Sequence, residues 1–383
     1  MNRFNNAAAK IVAHPDLLTV EWSDGTASEF ASVWLRDNLP EDRDTHNRQR
    51  LIDVADLPEE PRIRDATLQE AAVRVSWQGE NRSTSFPLTW LREHRISPQE
   101  NPAPPARPWL EGASLDPRVS FAWQSLSTIQ ANAPERLRWL HRLLQDGIAF
   151  LREVPPVADG ILEAMALIGR VAETNYGQVF DVRAVPQPEN LAYTDLGLGL
   201  HTDNPYREPV PGFQALHTLI AAPEGGDSLF ADGFALAEHL RVTAPEAFAM
   251  LTQTAVPFHY RSKSANLYAE RPLIQLTCDG AVSAVHYNNR SVAPLRLPAR
   301  ECAAFYSAYR QFANVLREPR FQSVTALRSG DLVLFDNQRI LHGRKAFTSA
   351  NHPRHLRGCY LTRDSVYSAA ALLQEQCGAG AAS

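Results

Sequence analysis

The stretch Leu198-Gly199-Leu200-His201-Thr202-Asp203 decides the reading of this chain, together with a second one far downstream, Asp336-Asn337-Gln338-Arg339-Ile340-Leu341-His342-Gly343-Arg344. On a strand, side chains alternate between faces, so residues i and i+2 point the same way. His201 and Asp203 can therefore reach one metal. His342 follows a strand and a turn and supplies a second imidazole. Two histidines and one carboxylate form the facial triad of non-haem Fe(II) oxygenases, which keeps open positions for a bidentate 2-oxo acid and O2. A His-x-Asp pair by itself is most often a surface or hydrogen-bonded pair. Arg354 adds weight, because a guanidinium can grip the distal carboxylate of 2-oxoglutarate with two parallel bonds. Alone, Arg354 reads as a surface cation, and only the combination is specific.

Outward from this centre the chain is punctuated. Two early stretches resemble each other. Val20-Glu21-Trp22, the turn Ser23-Asp24-Gly25, Phe30 and Trp34-Leu35-Arg36-Asp37 make the first. Val75-Ser76-Trp77, Gln78-Gly79-Glu80-Asn81, Phe86 and Trp90-Leu91-Arg92-Glu93 make the second. Each reads as strand, hairpin turn, strand, with Trp and Phe on the buried face. A small N-terminal β-rich domain over residues 1–100 is expected. The proline-rich run 101–108 then marks a boundary, since proline neither donates to ladders nor continues helices. Residues 101–383 form the second domain. There the apolar spacing predicts helices over Ala133–Asp146, Gly160–Val171, Ala235–Arg241 and Ala299–Leu316. Short apolar runs such as Asp331–Phe335 predict strands. The mixture fits an α+β fold or β-barrel core with flanking helices.

Composition excludes several classes. The 383 residues are long for one core and suggest two domains, or one large domain with an appendage. A net charge of −5 argues against a nucleic-acid partner. No apolar run approaches the roughly 18 residues that span a bilayer, and the first residues lack a signal peptide's apolar stretch. A cytoplasmic location is the expectation, with no membrane partner. Cys278, Cys302, Cys359 and Cys377 contain no C-x-x-C pair and are expected to be free thiols.

The segments Trp34-Leu35-Arg36-Asp37-Asn38, Asn190-Leu191-Ala192-Tyr193-Thr194, His201-Thr202-Asp203, Gly225-Gly226-Asp227-Ser228 and Asp336–Arg344 resemble the taurine dioxygenase superfamily. More closely, the chain is similar to the γ-butyrobetaine dioxygenases and their relatives over almost its whole length. The resemblance implies a double-stranded β-helix (jelly roll) catalytic domain with flanking helices, a small N-terminal β domain and a homodimer. It implies Fe(II) and 2-oxoglutarate as cofactors, ascorbate as reductant, O2 as co-substrate, and Ser228 beside the 2-oxoglutarate carboxylate. Relatives commonly hold a zinc through a cysteine cluster directly after the W-L-R-D-N segment. Here that stretch is Leu39-Pro40-Glu41-Asp42-Arg43-Asp44-Thr45-His46, with no cysteine before Cys278. Structural zinc wants Cys and His ligands, so none is expected.

Tyr176, Phe180, Tyr193 and Tyr360 match the family's aromatic cage for a trimethylammonium group. A quaternary ammonium cannot donate hydrogen bonds, so ring faces recognise it, at roughly 0.5–2 kcal/mol each. Any one of the four alone would read as a core aromatic. The far end of the substrate should be an anion, with Asn190, Asn204, Tyr206, Asn288, Asn289 and Arg290 as candidate donors. Arg290 supplies a full charge and a planar fork that suits phosphate-like oxygens. This leans toward hydroxylation of 2-trimethylaminoethylphosphonate next to phosphorus. γ-Butyrobetaine hydroxylation to carnitine is the alternative, and an oxygenase for a different substrate, such as trimethyllysine or a sulfonate, is a second one. A non-catalytic betaine-binding protein is the reading from another class.

Overall fold

Both N-terminal repeats put every second strand residue on one dry face, and that alternation builds the first unit. A computed structural model describes residues 8–95, 105–109, 120–184, 194–348 and 354–379. The chain divides into two units, Met1–Glu100 and Asn101–Ser383. In the first, β1 (Ala8–His14), β2 (Leu17–Trp22) and β3 (Ala27–Ala31) form an antiparallel sheet. A second sheet joins β4 (Ile63–Leu68), β5 (Ala72–Trp77) and β6 (Ser83–Pro87). Leu18, Val20, Trp22, Phe30, Val73, Val75, Trp77 and Phe86 share one core. Fully burying each large side chain stabilises by about 1.5–3 kcal/mol. Gly25, at φ 81°, makes the first hairpin turn, which a side chain would strain. A short helix follows each hairpin, Ser32–Asp37 and Leu88–Glu93, and their Trp34 and Trp90 rings lie 5.3 Å apart.

The stretch after Trp34–Asn38 is tied by charge. Arg36 bridges Asp42 at 3.1 Å and Glu80 at 3.1 Å, and Arg82 reaches Asp42 at 2.9 Å.

In the second unit a larger sheet runs in the order β10 (Phe180–Arg183), β21 (His355–Leu361), β12 (Phe213–Ile220), β19 (Leu332–Asp336), β8 (Ile148–Arg152), β7 (Ala122–Ser125). β9 (Val171–Ala172) pairs on the side with β21. A smaller sheet runs β11 (Leu198–His201), β20 (Ile340–Arg344), β13 (Ser228–Asp232), β18 (Ser323–Thr325). The two sheets make the jelly roll. Hairpins β14 (Val256–Arg261) with β15 (Asn266–Arg271), and β16 (Ile274–Leu276) with β17 (Val282–Val285), complete the strands among the described residues.

Alternation sorts the larger sheet's two faces. Phe213, Ala215, Cys359 and Leu361 pack outward on the helices Ala133–Asp146, Gly160–Met165 and Arg363–Ala379. Gln214, Leu216, Leu356 and Tyr360 point inward, toward the smaller sheet. Phe150, Phe230 and Phe335 fill the dry end between the sheets. The helices Ala133–Asp146 and Ala299–Leu316 have the expected bounds. The expected helix over Gly160–Val171 stops at Met165, because the chain must turn to lay Val171–Ala172 beside Tyr360 and Leu361. Pairing with β21 overrides helix propensity there. The helix expected at Ala235–Arg241 spans Gly233–Thr243, capped by the Asp232 carboxylate on the Phe234 amide. Of the proline-rich run, residues 101–104 lie outside the described residues. All four cysteines are unpaired. No described helix is long and apolar enough to cross a membrane.

Candidate metal centre and substrate pocket

His201 ends β11 and His342 lies in the middle of β20, and the register makes them direct cross-strand partners. Their rings are 4.4 Å apart. Asp203 lies beyond the strand end. Its Oδ1 is 3.2 Å from His201 Nε2, and its Oδ2 is 3.8 Å from His342 Nε2. All three ligand atoms fall within 4.8 Å of one another. Bonds of about 2.1 Å to nitrogen and oxygen place neighbouring ligand atoms about 3 Å apart around a shared ion. The donor set therefore fits a divalent metal with a small inward adjustment.

The electrostatics agree with that fit. The His201 Nδ1 sits 2.9 Å from the Gly199 carbonyl oxygen, which fixes the proton on Nδ1 and leaves the Nε2 lone pair for a metal. Burial, with His201 alongside, pushes the His342 pKa down to about 3, so its imidazole is neutral and ready to ligate. Burial alone would raise the Asp203 pKa. Contact with His201 and then His342, together with the hydrogen bond that the Tyr360 hydroxyl donates to Oδ2 at 2.8 Å, holds it well below the usual carboxylate range. Three inward-facing groups thus present one negative charge and two lone pairs.

Asn337, fully buried, grips Asp203 from behind. Its Oδ1 accepts the Asp203 amide at 2.7 Å, while its Nδ2 donates to the Asp203 carbonyl at 3.0 Å and the Pro211 carbonyl at 3.2 Å. No functional role was read for Asn337 from sequence, although it stands in the segment leading to His342.

The cavity beside the triad is lined from both sheets. Arg354 and Ser228 both line it, and both are buried. Arg354 has no carboxylate partner among the described residues and stacks its guanidinium 5.7 Å from the Phe347 ring. Burial lowers its pKa only to about 10, so it stays cationic. Gly226, at φ 69°, makes room for it, since a Cβ there would sit 3.1 Å from Arg354 Nε. An unneutralised buried guanidinium calls for an anion.

Tyr176, Phe180 and Tyr360 line the same cavity. Phe180 lies 6.2 Å from Tyr176 and 5.1 Å from Tyr360, centroid to centroid. Phe180 fits because its cross-strand partner is Gly358, where a Cβ would come within 2.3 Å of the ring. Tyr193 and Asn190 lie outside the described residues. Tyr260, absent from the sequence reading, backs the cluster: it stacks on Tyr206 at 5.1 Å and stands edge-on to Tyr176 at 6.3 Å. Burial raises the Tyr176 pKa far above its usual value, so the ring stays a neutral phenol.

The expected anion donors separate. Asn204 and Arg290 line the cavity. Tyr206 does not, and its hydroxyl donates to Asn204 Oδ1 at 2.6 Å. Asn288 also lies outside the cavity lining and donates to the Thr202 carbonyl at 3.0 Å. Asn289 turns elsewhere and accepts a hydrogen bond from the Tyr309 hydroxyl at 3.2 Å. Arg290 has no hydrogen bond or ion pair among the described residues, though the field of Asp203 reaches it.

Residues 115–360 match the family described as taurine catabolism dioxygenase TauD, TfdA family. The chain belongs to the TauD/TfdA family. Residues 11–92 match the gamma-butyrobetaine hydroxylase-like N-terminal domain. Gamma-butyrobetaine dioxygenase of Pseudomonas sp. (strain AK-1) is 35% identical, covering 93% of this chain and 94% of its own. The human gamma-butyrobetaine dioxygenase is 28% identical over 94% of this chain and 95% of its own. Trimethyllysine dioxygenase of Meyerozyma guilliermondii is 26% identical over 97% of both chains. As a TauD/TfdA member the chain is a 2-oxoglutarate-dependent dioxygenase, and its His-Asp-His cluster fits the family's iron.

Proposed function

We propose that this enzyme hydroxylates a small trimethylammonium acid, with γ-butyrobetaine, giving carnitine, as the leading substrate. The observation that carries the proposal is the convergence of three aromatic rings and Arg290, which has no partner among the described residues, on one cavity that also contains the triad. Relatives that share nearly the full length and act on γ-butyrobetaine support the carboxylate. Within this reading His201, Asp203 and His342 hold the iron, Arg354 takes the distal carboxylate of 2-oxoglutarate, and Ser228 lies beside it. The bound iron and 2-oxoglutarate supply the oxygen chemistry that turns C–H into C–OH while 2-oxoglutarate leaves as succinate and CO2.

The chain's own residues do the rest. Tyr176, Phe180 and Tyr360 hold the cation by their ring faces. Arg290 attracts the anion. Fixing both ends aims one carbon between them at the metal, and a shift of about 1 Å there can cost on the order of a hundredfold in rate.

A second reading rests on Arg290 alone. A full charge and planar fork suit a phosphonate, so 2-trimethylaminoethylphosphonate hydroxylated beside phosphorus is the competing substrate. The two separate by kcat/KM for both compounds in the native enzyme and in Arg290→Ala. The carboxylate reading expects a native preference for γ-butyrobetaine. A phosphonate preference that Arg290→Ala removes would reverse the order. Turnover of neither compound would count against the cage assignment and leave the family chemistry standing.

A further inference from the structure

We infer that Asn204 is a positioning residue that sets the Asp203 carboxylate through the hydroxyl of Tyr360. Asn204 directly follows Asp203, is buried, and has φ 56°, a left-handed conformation uncommon outside glycine but tolerated by asparagine. That backbone turn puts both ends of its amide to use. Asn204 Nδ2 donates to the Tyr360 hydroxyl at 3.1 Å, and the Tyr360 hydroxyl donates to Asp203 Oδ2 at 2.8 Å. On the other side the Tyr206 hydroxyl donates to Asn204 Oδ1 at 2.6 Å. The Tyr206 ring is itself held flat on Tyr260, 5.1 Å away with 16° between planes.

The polarity of this chain follows from proton counting. An ionised Asp203 only accepts, so Tyr360 gives it its single proton and must accept from its other neighbour. Only the amide NH2 can supply that proton, which fixes the orientation of Asn204. The amide oxygen is then left for Tyr206. The Tyr206–Asn204–Tyr360 relay thus ends on one carboxylate oxygen, Oδ2, while Oδ1 faces His201. It holds the carboxylate plane in one orientation and binds a cage ring and a metal ligand into one hydrogen-bonded unit. Without Asn204, Tyr360 loses the donor that holds its hydroxyl on Asp203.

The test measures Mn(II) affinity of the full-length protein without substrate, from the electron paramagnetic resonance signal of the free ion. It rests on the triad being the metal site, so His201→Ala serves as the control. The variants are Asn204→Gly, which adopts φ 56° without strain, Tyr360→Phe, and the double variant. Loss of a partner behind a metal ligand typically lowers metal affinity about 10–100-fold. Each single variant is expected to show that loss, and the double variant no more than the larger single one, because both break one chain. Tyr206→Phe keeps the ring and leaves the backbone alone. It is expected to weaken Mn(II) in the same direction, and also to add nothing to Tyr360→Phe. Native Mn(II) affinity in a folded Asn204→Gly, or losses that multiply in the double variants, would overturn the inference. Native Mn(II) affinity in His201→Ala would overturn the triad reading, and this inference with it.

Discussion

Replacing His201 or Asp203 by alanine is expected to abolish stoichiometric Fe(II) binding and to drop substrate-dependent succinate formation to background. Each change removes one of three ligands from a site whose remaining pair cannot define a face. Asp203→Ala also removes the only negative charge among the three, so two neutral imidazoles are left to hold a dication. The fold should survive. Asp203 is anchored through its backbone by Asn337, whose bonds to the amide and carbonyl need no Asp203 side chain. Equal melting temperatures with lost metal binding are the expected pair of results. Full activity in either variant would sink the metal assignment.

Arg339→Met is expected to destabilise the catalytic unit by about 3–5 kcal/mol, the usual cost of leaving a buried charge without its partner. Arg339 and Asp232 are each about 2% exposed and meet through two bonds, Nε to Oδ1 at 3.1 Å and Nη2 to Oδ2 at 2.8 Å. The guanidinium also donates to the Gln145 and Arg107 carbonyls, both at 2.8 Å. Asp232 accepts the Trp109 amide at 3.0 Å and caps the helix Gly233–Thr243. One ion pair therefore joins β13, the end of the helix Ala133–Asp146, and the segment around Trp109. Its loss should lower the urea midpoint sharply. The double variant Arg339→Met with Asp232→Leu should recover part of the loss, because no lone charge then stays buried. A destabilisation below about 1 kcal/mol, the range of an exposed pair, would contradict this account.

The triad was legible in sequence because a His-x-Asp pair and a distant histidine after a strand-turn pattern stand together, although the strand-period argument itself fails: β11 ends at His201 and Asp203 lies past it. The helices Ala133–Asp146 and Ala299–Leu316 were legible because several turns of one apolar stripe are hard to mistake. The short helices Ser32–Asp37 and Leu88–Glu93 were not, since six residues hold too little period to register. Arg354 stood out only beside the triad. Asn337, Tyr260 and the real partners of Asn204 and Asn288 were hidden for one reason. Apart from the Tyr206–Asn204 bond, their contacts close across long sequence separations, and a polar residue's partner is set by which segments meet. Asn288 reads as a substrate donor by residue type, whereas in the structure its amide donates to the Thr202 carbonyl.

The most direct test of the central claim is an oxygen-isotope experiment on the purified enzyme with Fe(II), 2-oxoglutarate, γ-butyrobetaine and labelled O2. The account expects succinate and hydroxylated product in equal amounts, with the label in both and the hydroxyl oxygen drawn from O2. Hydroxylated product whose oxygen comes from water, or product formed without 2-oxoglutarate consumption, would contradict it.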